Sequence, residues 1–266
     1  MPTFNDLNTC NPTITFDTAD VGKTFTITQT VTDPDGETDT FDREFSVTAA
    51  IVTAACEDKE LVIDVADSYI ANADFNDYTS LPEYYSQLDR VVGWEQFSGG
   101  TSDFLHEDGF NSGASSTVPS PDGGAYVGIV YNYSSQNSFE YVGQNLTTPI
   151  PSGSNILANF YAGGGSLSTN YLADGDRSVA LYGIPNVVTT PVSGYNHIDT
   201  MGLGAVKLGE FKLNVEGTAW ELASIEFIAP FDIKCLVFGG ESTDTAGKYL
   251  CIDRLLVSEK TNFTCP

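Results

Sequence analysis

The stretch VGWEQFSGGTSDFLHEDGFNSGASSTVPSPDGGAYVGI, residues 92–129, decides the fold class. It contains too much Gly, Ser and Pro for a helix, because these residues disfavour helices and favour turns. It opens with an apolar run that ends at Trp94 and closes with the alternating segment 125–129. We therefore expect two strands joined by a long loop of the kind that often carries function.

The pattern of short strands and turns continues to the end of the chain. Apolar and β-branched segments recur at 61–65, 138–142, 156–161, 178–182, 206–213, 219–228, 233–238 and 249–257. No amphipathic helices separate them, as a parallel α/β fold would require. We predict an all-β chain in which residues 56–266 form a β-sandwich of the jelly-roll type.

Residues 1–55 form a separate unit in this prediction. The segment KTFTITQTVT (residues 23–32) reads as a strand, the turn sequence DPDG follows, and residues 41–47 form the returning strand. Because an isolated hairpin is marginal in water, we expect this unit to anchor or assemble the protein, most simply as a homo-oligomer.

The excess of acidic over basic residues restricts the kinds of molecule that the protein can bind. The chain carries 36 acidic and 11 basic residues, for a formal net charge of −25. Such a surface repels phosphate backbones, so we expect no nucleic-acid partner. No run of 18 apolar residues predicts membrane insertion, and the first residues show no secretory signal. The acids either keep the protein soluble or hold calcium.

Five cysteines leave the disulfide pattern open. Cys235 and Cys251 lie on two predicted strands around the loop GGESTDTAG, where they either form a cross-strand bridge or remain buried thiols. Cys56 and Cys265 lie at the two ends of the larger domain, and Cys10 is then left over.

Catalytic motifs are missing from the sequence. It contains no Gly-x-Ser-x-Gly elbow, no P-loop, no dinucleotide fingerprint and no Cys-x-x-Cys pair. His106 and His197 are its only histidines. We therefore expect a protein that is not an enzyme.

Recognition of a ligand at a surface commonly uses an aromatic face and a few polar groups that orient the ligand. Trp94 is expected to be a core residue that pins the two sheets, so the ligand contacts are expected in the loop 103–110 and in the Tyr-Asn-Tyr segment that follows residue 130. The candidate ligand-binding residues are Asp103, Phe104, His106, Tyr131, Asn132 and Tyr133.

Two resemblances add to this interpretation. The segment GKTFTITQTVTDPDGETDTFDREFSVTA, residues 22–49, resembles the last two strands of a PKD-type immunoglobulin-like domain. It implies that residues 1–55 are a partial Ig-like unit.

The second resemblance covers about residues 60–258. The motifs NADFN (72–76), VVGW (91–94), GGAYVG (123–128) and YLCIDRLLV (249–257) are similar in order and spacing to carbohydrate-binding modules with the galactose-binding-like jelly roll. The pattern W…GGTSDF…GGAYVGI also resembles surface proteins of Bacteroidetes and of their phages. The resemblance implies a cell-surface glycan as ligand and a structural Ca²⁺ near Asp74 and Asp253. Arg254 departs from the usual second Asp, which weakens the implied calcium site.

The leading hypothesis is a non-catalytic surface recognition protein. In its most specific form it is a phage spike, fibre or decoration protein that binds host-cell glycan at the virion surface, beside other virion or surface proteins. A location on the bacterial cell surface or outside the cell is the alternative. Two other functions stay open: a purely structural virion or surface-layer component with protein contacts only, and a polysaccharide-degrading enzyme.

Overall fold

The computed structural model describes residues 3–4, 14–15, 24–32, 35–46, 63–110, 120–121, 123–133, 138–164, 177–189, 197–214, 219–241 and 248–263. The chain divides into two compact units, Met1–Ala54 and Ala55–Pro266. Every described strand pairing is antiparallel. The all-β prediction is confirmed.

The first unit contains two strand pairs. Strand β1 (Thr3–Phe4) pairs with β2 (Ile14–Thr15), and β3 (Thr24–Thr32) pairs with β4 (Thr38–Ser46). The β3–β4 hairpin keeps an unbroken register from Thr24↔Ser46 to Thr32↔Thr38. Gly36 in its turn has φ +87°, a left-handed conformation that glycine adopts without strain. The Ig-like identity of this unit stays a prediction.

The second unit consists of two packed sheets. Its strands are β5 (Glu95–Gln96), β6 (Asp103–His106), β7 (Ala125–Tyr133), β8 (Ser138–Phe139), β9 (Tyr141–Ile150), β10 (Asn155–Gly164), β11 (Ser178–Ile184), β12 (Val206–Lys212), β13 (Trp220–Ile228), β14 (Ile233–Glu241) and β15 (Lys248–Glu259). One sheet has the order β13-β10-β15-β7-β6, with β8 also on β7, and the other has the order β12-β11-β14-β9-β5. Short 3₁₀ turns occupy Val65–Asp67, Leu88–Arg90, Ile198–Thr200 and Lys260–Asn262.

The main core lies between these sheets. Along β7, Ala125, Val127, Ile129 and Tyr131 alternate onto one face and are fully buried in this core. Because every second side chain of a strand points the same way, one whole face of the six-stranded sheet contributes to the main core.

Trp94 belongs to the same core, as the sequence predicted. It is 3% exposed, and its ring packs against Phe75 and Phe238 at centroid distances of 4.7 and 6.1 Å. Its indole N–H donates to the carbonyl of Asn72 at 2.9 Å, so the one polar atom of the ring is satisfied.

The five-stranded sheet is covered on its second face as well. A separate cluster there includes Tyr141, Tyr182 and Cys235 from the sheet, together with Val188 and Ile198 from the connection between β11 and β12. All seven residues of β11 are buried, which is typical of a strand with both faces covered. This face of the sandwich is therefore closed by the protein itself.

The predicted bridge between Cys235 and Cys251 is wrong. Both residues are buried free thiols. Cys235 lies on β14 in the five-stranded sheet and Cys251 on β15 in the six-stranded sheet. The segment between them therefore crosses from one sheet to the other and does not close a hairpin. Cys10, Cys56 and Cys265 lie outside the described residues.

None of the helical turns in the described ranges has the length and apolarity that a membrane span requires.

Candidate functional site: an aromatic patch at the edge of the six-stranded sheet

The second face of the six-stranded sheet carries its own cluster. Leu105, Tyr126, Tyr249 and Cys251 are buried in it, and Phe110, Val130 and Trp220 are partly buried against it. These residues alternate with the core residues of β6, β7 and β15, so strand geometry places them on the face opposite the main core.

Two glycines make room for the aromatic rings on this face. A Cβ at Gly163 would lie 2.7 Å from Cε3 of Trp220, and a Cβ at Gly128 would overlap the hydroxyl of Tyr249. Trp220 meets Tyr126 edge to face, with ring centroids 5.6 Å apart. The aromatic layer therefore lies directly on the backbone of β7 and β10.

At the edge next to β6 this layer continues to the surface. Tyr84 and Tyr85 lie 5.1 Å apart between ring centroids, and Phe110 lies 4.7 Å from Tyr85 and 5.8 Å from Tyr84. Tyr84 is 65% exposed, an unusual position for an aromatic ring. We call these three residues the aromatic patch. Phe110 joins the patch to the buried cluster beneath it.

The loop that carries Tyr84 and Tyr85 is held by hydrogen bonds. The Gln87 side-chain oxygen accepts from the backbone N–H groups of Glu83 and Tyr84, at 2.7 and 3.0 Å. The N–H of Phe110 donates to the carbonyl of Pro82 at 2.7 Å. A loop fixed in this way loses little conformational entropy when a ligand binds.

Asp103 fastens the same loop to β6. Its Oδ1 accepts from the N–H of Ser86 at 2.8 Å, and its Oδ2 accepts from the Tyr249 hydroxyl at 2.7 Å. Ser86 has φ +64°, a strained conformation for a residue with a side chain, and this bond helps to hold it. Burial raises the pKa of Asp103 to about 6, although both hydrogen bonds oppose the shift.

A second buried carboxyl lies in the same region. Glu140 accepts from the N–H and hydroxyl of Thr101, at 2.7 and 3.2 Å, and from the N–H of Val130 at 2.7 Å. Burial, with a smaller contribution from the charge of Asp103, raises its pKa to about 7. Raised pKa values can mark acid–base catalysis. Here, however, the hydrogen bonds of both carboxyls join segments of the protein, which indicates a structural role.

The predicted ligand residues of β6 lie beneath this patch. Asp103 and His106 are 3% and 7% exposed, and Phe104 is fully buried in the main core. His106 accepts at Nδ1 from the N–H of Asp108 at 3.0 Å, and its Nε2 lies 3.4 Å from the Tyr78 hydroxyl. Asp103 therefore supports the patch loop through Ser86, whereas His106 lies on the same face of β6 as Phe104. The ligand-binding role of these three residues stays a prediction.

Tyr131 is not brought to this site. It is fully buried in the main core and pairs with Lys248 of β15 and Phe139 of β8. It lies three residues beyond Gly128 on β7, about 10 Å along the strand. Tyr131 therefore packs in the core, and its assignment as a ligand contact stays a prediction. Asn132 and Tyr133 belong to β7, but their side chains lie outside the described part of the structure.

Tyr84 and Tyr85 were missed as site residues from the sequence. The available signal was two adjacent tyrosines in a Pro-containing connection without strand alternation. Aromatic residues in such a segment have no core position assigned by periodicity, which makes surface exposure the natural expectation.

A backbone hydrogen bond joins the two segments that carry the predicted calcium residues Asp74 and Asp253. The N–H of Leu255 donates to the carbonyl of Ala73 at 2.8 Å. Asp253 is fully buried, and its two oxygens accept from the Arg254 N–H and the Ser120 hydroxyl, both at 2.6 Å. Asp74 accepts at 3.4 Å from the N–H of Asn76. Within the ranges given above, no three His, Cys, Asp or Glu side chains form a group that could hold a metal. Calcium stays a prediction.

No family model and no curated protein matches this chain. Solved structures do resemble it. The enzymatically active domain of tailspike protein 4 from Bacteriophage CBA120 is 11% identical, with 73% of this chain and 22% of that chain covered and a TM-score of 0.40. A Stig cyclase from Fischerella sp. TAU is 18% identical, with 74% and 97% covered and a TM-score of 0.45.

The module TmCBM61, solved with β-1,4-galactotriose, is 12% identical, with 73% and 99% covered and a TM-score of 0.36. At these identities and TM-scores the likenesses carry no argument about what this chain binds.

Proposed function

We propose that the sandwich unit is a non-catalytic recognition module that binds carbohydrate at the aromatic patch. The observation that carries the proposal is the 65% exposure of Tyr84 in a cluster of three rings on a hydrogen-bonded loop. Exposing an aromatic ring to water costs free energy, and a ring kept in such a position commonly serves an interaction.

The chemistry of the patch fits a sugar. A pyranose has an apolar face of C–H groups that packs on an aromatic ring, and hydroxyls that need hydrogen-bond partners at its rim. The two tyrosine hydroxyls and the exposed carboxylates of Glu83 and Glu107 supply such partners. The ring planes of Tyr84 and Tyr85 meet at 78° and those of Tyr85 and Phe110 at 73°, so the faces of these rings point in different directions.

The test is binding to a glycan array and titration of the ligands found. Tyr84→Ala is expected to weaken binding about five- to thirtyfold, since stacking on one aromatic ring contributes roughly 1–2 kcal/mol. Tyr84→Phe keeps the ring and should retain most of the affinity. Val187→Ala, at an exposed apolar residue that follows strand β11 of the other sheet, is the matched control and should bind like the wild type.

Two results would overturn the proposal. One is that the wild-type chain binds no glycan, and the other is that Tyr84→Ala binds as tightly as Val187→Ala. Release of reducing ends from a polysaccharide by the wild-type protein would contradict the non-catalytic part alone and would favour the enzyme alternative.

We further propose that the protein acts at a virion surface as a spike, fibre or decoration protein, with residues 1–55 as its anchor or assembly unit. The sequence pattern shared with Bacteroidetes phages supports the location. The strand pairs of the first unit, which expose residues such as Thr28, Thr30 and Thr40, support assembly because two-stranded pairs are marginal alone.

Mass spectrometry of purified particles and sedimentation of the full chain test these two parts. Absence from particles would contradict the location, and a monomer at micromolar concentration would contradict the assembly role. Presence in particles without any glycan binding would favour the purely structural alternative.

A further inference from the structure

The aromatic patch lies among acidic residues. The segments 81–90 and 103–110, which carry the patch, contain five Asp or Glu residues and one arginine. Glu107 and Asp108 are exposed, and the Glu83 side chain next to Tyr84 in the chain is 81% exposed. These charges therefore act on whatever approaches the rings from water.

The one arginine offsets only Glu83. Arg90 donates to the carbonyl of Leu81 and lies 3.3 Å from the Glu83 carboxylate. The Arg90 guanidinium is therefore held at the base of the loop by these two contacts. Beneath the rings, Asp103 is ionised at neutral pH because its pKa is about 6. The formal net charge of −25 adds a repulsive background for anions.

We infer that the patch selects sugars that carry no charge or a positive charge, above all amino sugars, and rejects uronic, sialic and sulfated sugars. This inference rests on the proposed function of the same site. An ammonium group is attracted both by the acidic rim and by the faces of tyrosine rings. A carboxylate or sulfate group on the ligand would meet like charges and find no free cation in the two segments.

The experiment uses the full chain on an array that prints neutral, amine-bearing and acidic oligosaccharides side by side. The wild type is expected to bind neutral and amine-bearing sugars and no acidic ones. The triple variant Glu83→Gln, Glu107→Gln and Asp108→Asn should gain binding to acidic sugars. It should also lose about fivefold in affinity for amine-bearing ones, which is the effect of three charges acting over about 7 Å of salt water.

The matched control neutralises three exposed acids outside the two segments. Asp64→Asn, Asp67→Asn and Asp232→Asn change the net charge by the same amount and should leave the selectivity unchanged. Asn can also replace Asp64 as a capping residue, so this control should fold normally. Melting temperatures of both triple variants establish that each is folded.

The outcomes distinguish a failure of the charge selection from a failure of the sugar site itself. If the wild type binds acidic sugars and Tyr84→Ala abolishes that binding, the charge selection is wrong and the sugar site stands. If the two triple variants show the same selectivity, the acidic rim does not select the ligand and the inference is likewise overturned. If no sugar binds, the proposed function fails and this inference fails with it.

Discussion

The substitution Asp103→Asn tests the electrostatics beneath the aromatic patch. Its pKa in the folded protein is about 6, against an ordinary value of 3.8. The folded state therefore holds its proton more tightly than the unfolded state. The contribution of Asp103 to stability is largest below about pH 4, falls as the pH rises through the interval between the two pKa values, and is constant above it.

The free-energy cost of the Asp103 charge follows from the difference between the two pKa values. A shift of about 2.2 pKa units corresponds to about 3 kcal/mol, which is the cost of carrying the buried charge at pH 8. Asparagine removes this cost and still accepts from the Ser86 N–H. Burial raises the pKa of Tyr249 well above its ordinary value, so its hydroxyl remains a donor and loses its acceptor, at a cost of about 1 kcal/mol. The net expectation is a gain of about 2 kcal/mol at pH 8.

Urea unfolding followed by tryptophan fluorescence at pH 5 and pH 8 measures the effect. Between these pH values the Asp103 charge should cost the wild type on the order of 1 kcal/mol, and the variant should lack that part of the pH dependence. Glu140, whose pKa of about 7 owes a smaller part to the charge of Asp103, contributes a further fall in both proteins that should be slightly smaller in the variant.

Asp103→Ala serves as the control, because it removes the same charge and also the acceptor of Ser86, so it should be less stable than Asp103→Asn at both pH values. The reasoning is refuted if Asp103→Asn is less stable than the wild type at pH 8, or if the two proteins show the same dependence on pH.

Two further predictions concern packing. Gly128→Ala should destabilise the protein by about 2 kcal/mol or more, because its methyl group would overlap the Tyr249 hydroxyl, and the double variant with Tyr249→Phe should recover part of that loss in a urea titration. A double variant no more stable than Gly128→Ala would locate the strain elsewhere. Cys235 and Cys251 should resist thiol reagents in the native state and react in urea, since both are buried and burial raises the pKa of each thiol. Peptide-resolved mass spectrometry distinguishes them from the other cysteines, and native labelling of either would contradict their burial.

Strands could be predicted from the sequence where the pattern of apolar residues lies within a single segment. Strands β3 and β7 follow from apolar residues that alternate with others, and β15 follows from short apolar runs bounded by turn residues. Trp94 was also placed correctly in the core, because a tryptophan that ends an apolar run has a large surface to bury.

Sheet membership was not predictable, because it depends on partners distant in sequence. Cys235 and Cys251 were expected on one hairpin, yet β14 pairs with β9 and β11, whereas β15 pairs with β7 and β10. The same reason applies to Tyr131. Alternation fixes which residues share its face, but only the packing of the second sheet makes that face interior.

The aromatic patch was predictable only in part. The loop 103–110 was expected to bind ligand, and Phe110 lies at its end. Tyr84 meets Phe110 only because the chain folds back so that Pro82 accepts from the Phe110 N–H. No local pattern in the sequence encodes that contact.

Four of the bonds that hold the patch loop begin at backbone N–H groups, those of Glu83, Tyr84, Ser86 and Phe110, and none of them uses the side chain of Tyr84 or Tyr85. The loop is therefore fastened independently of which side chains it displays. Mutation could replace the rings at Tyr84 and Tyr85 one at a time without loosening their support. A descendant of this chain could thus acquire a different recognition specificity by changing a few surface positions, while the residues between the two sheets stay as they are.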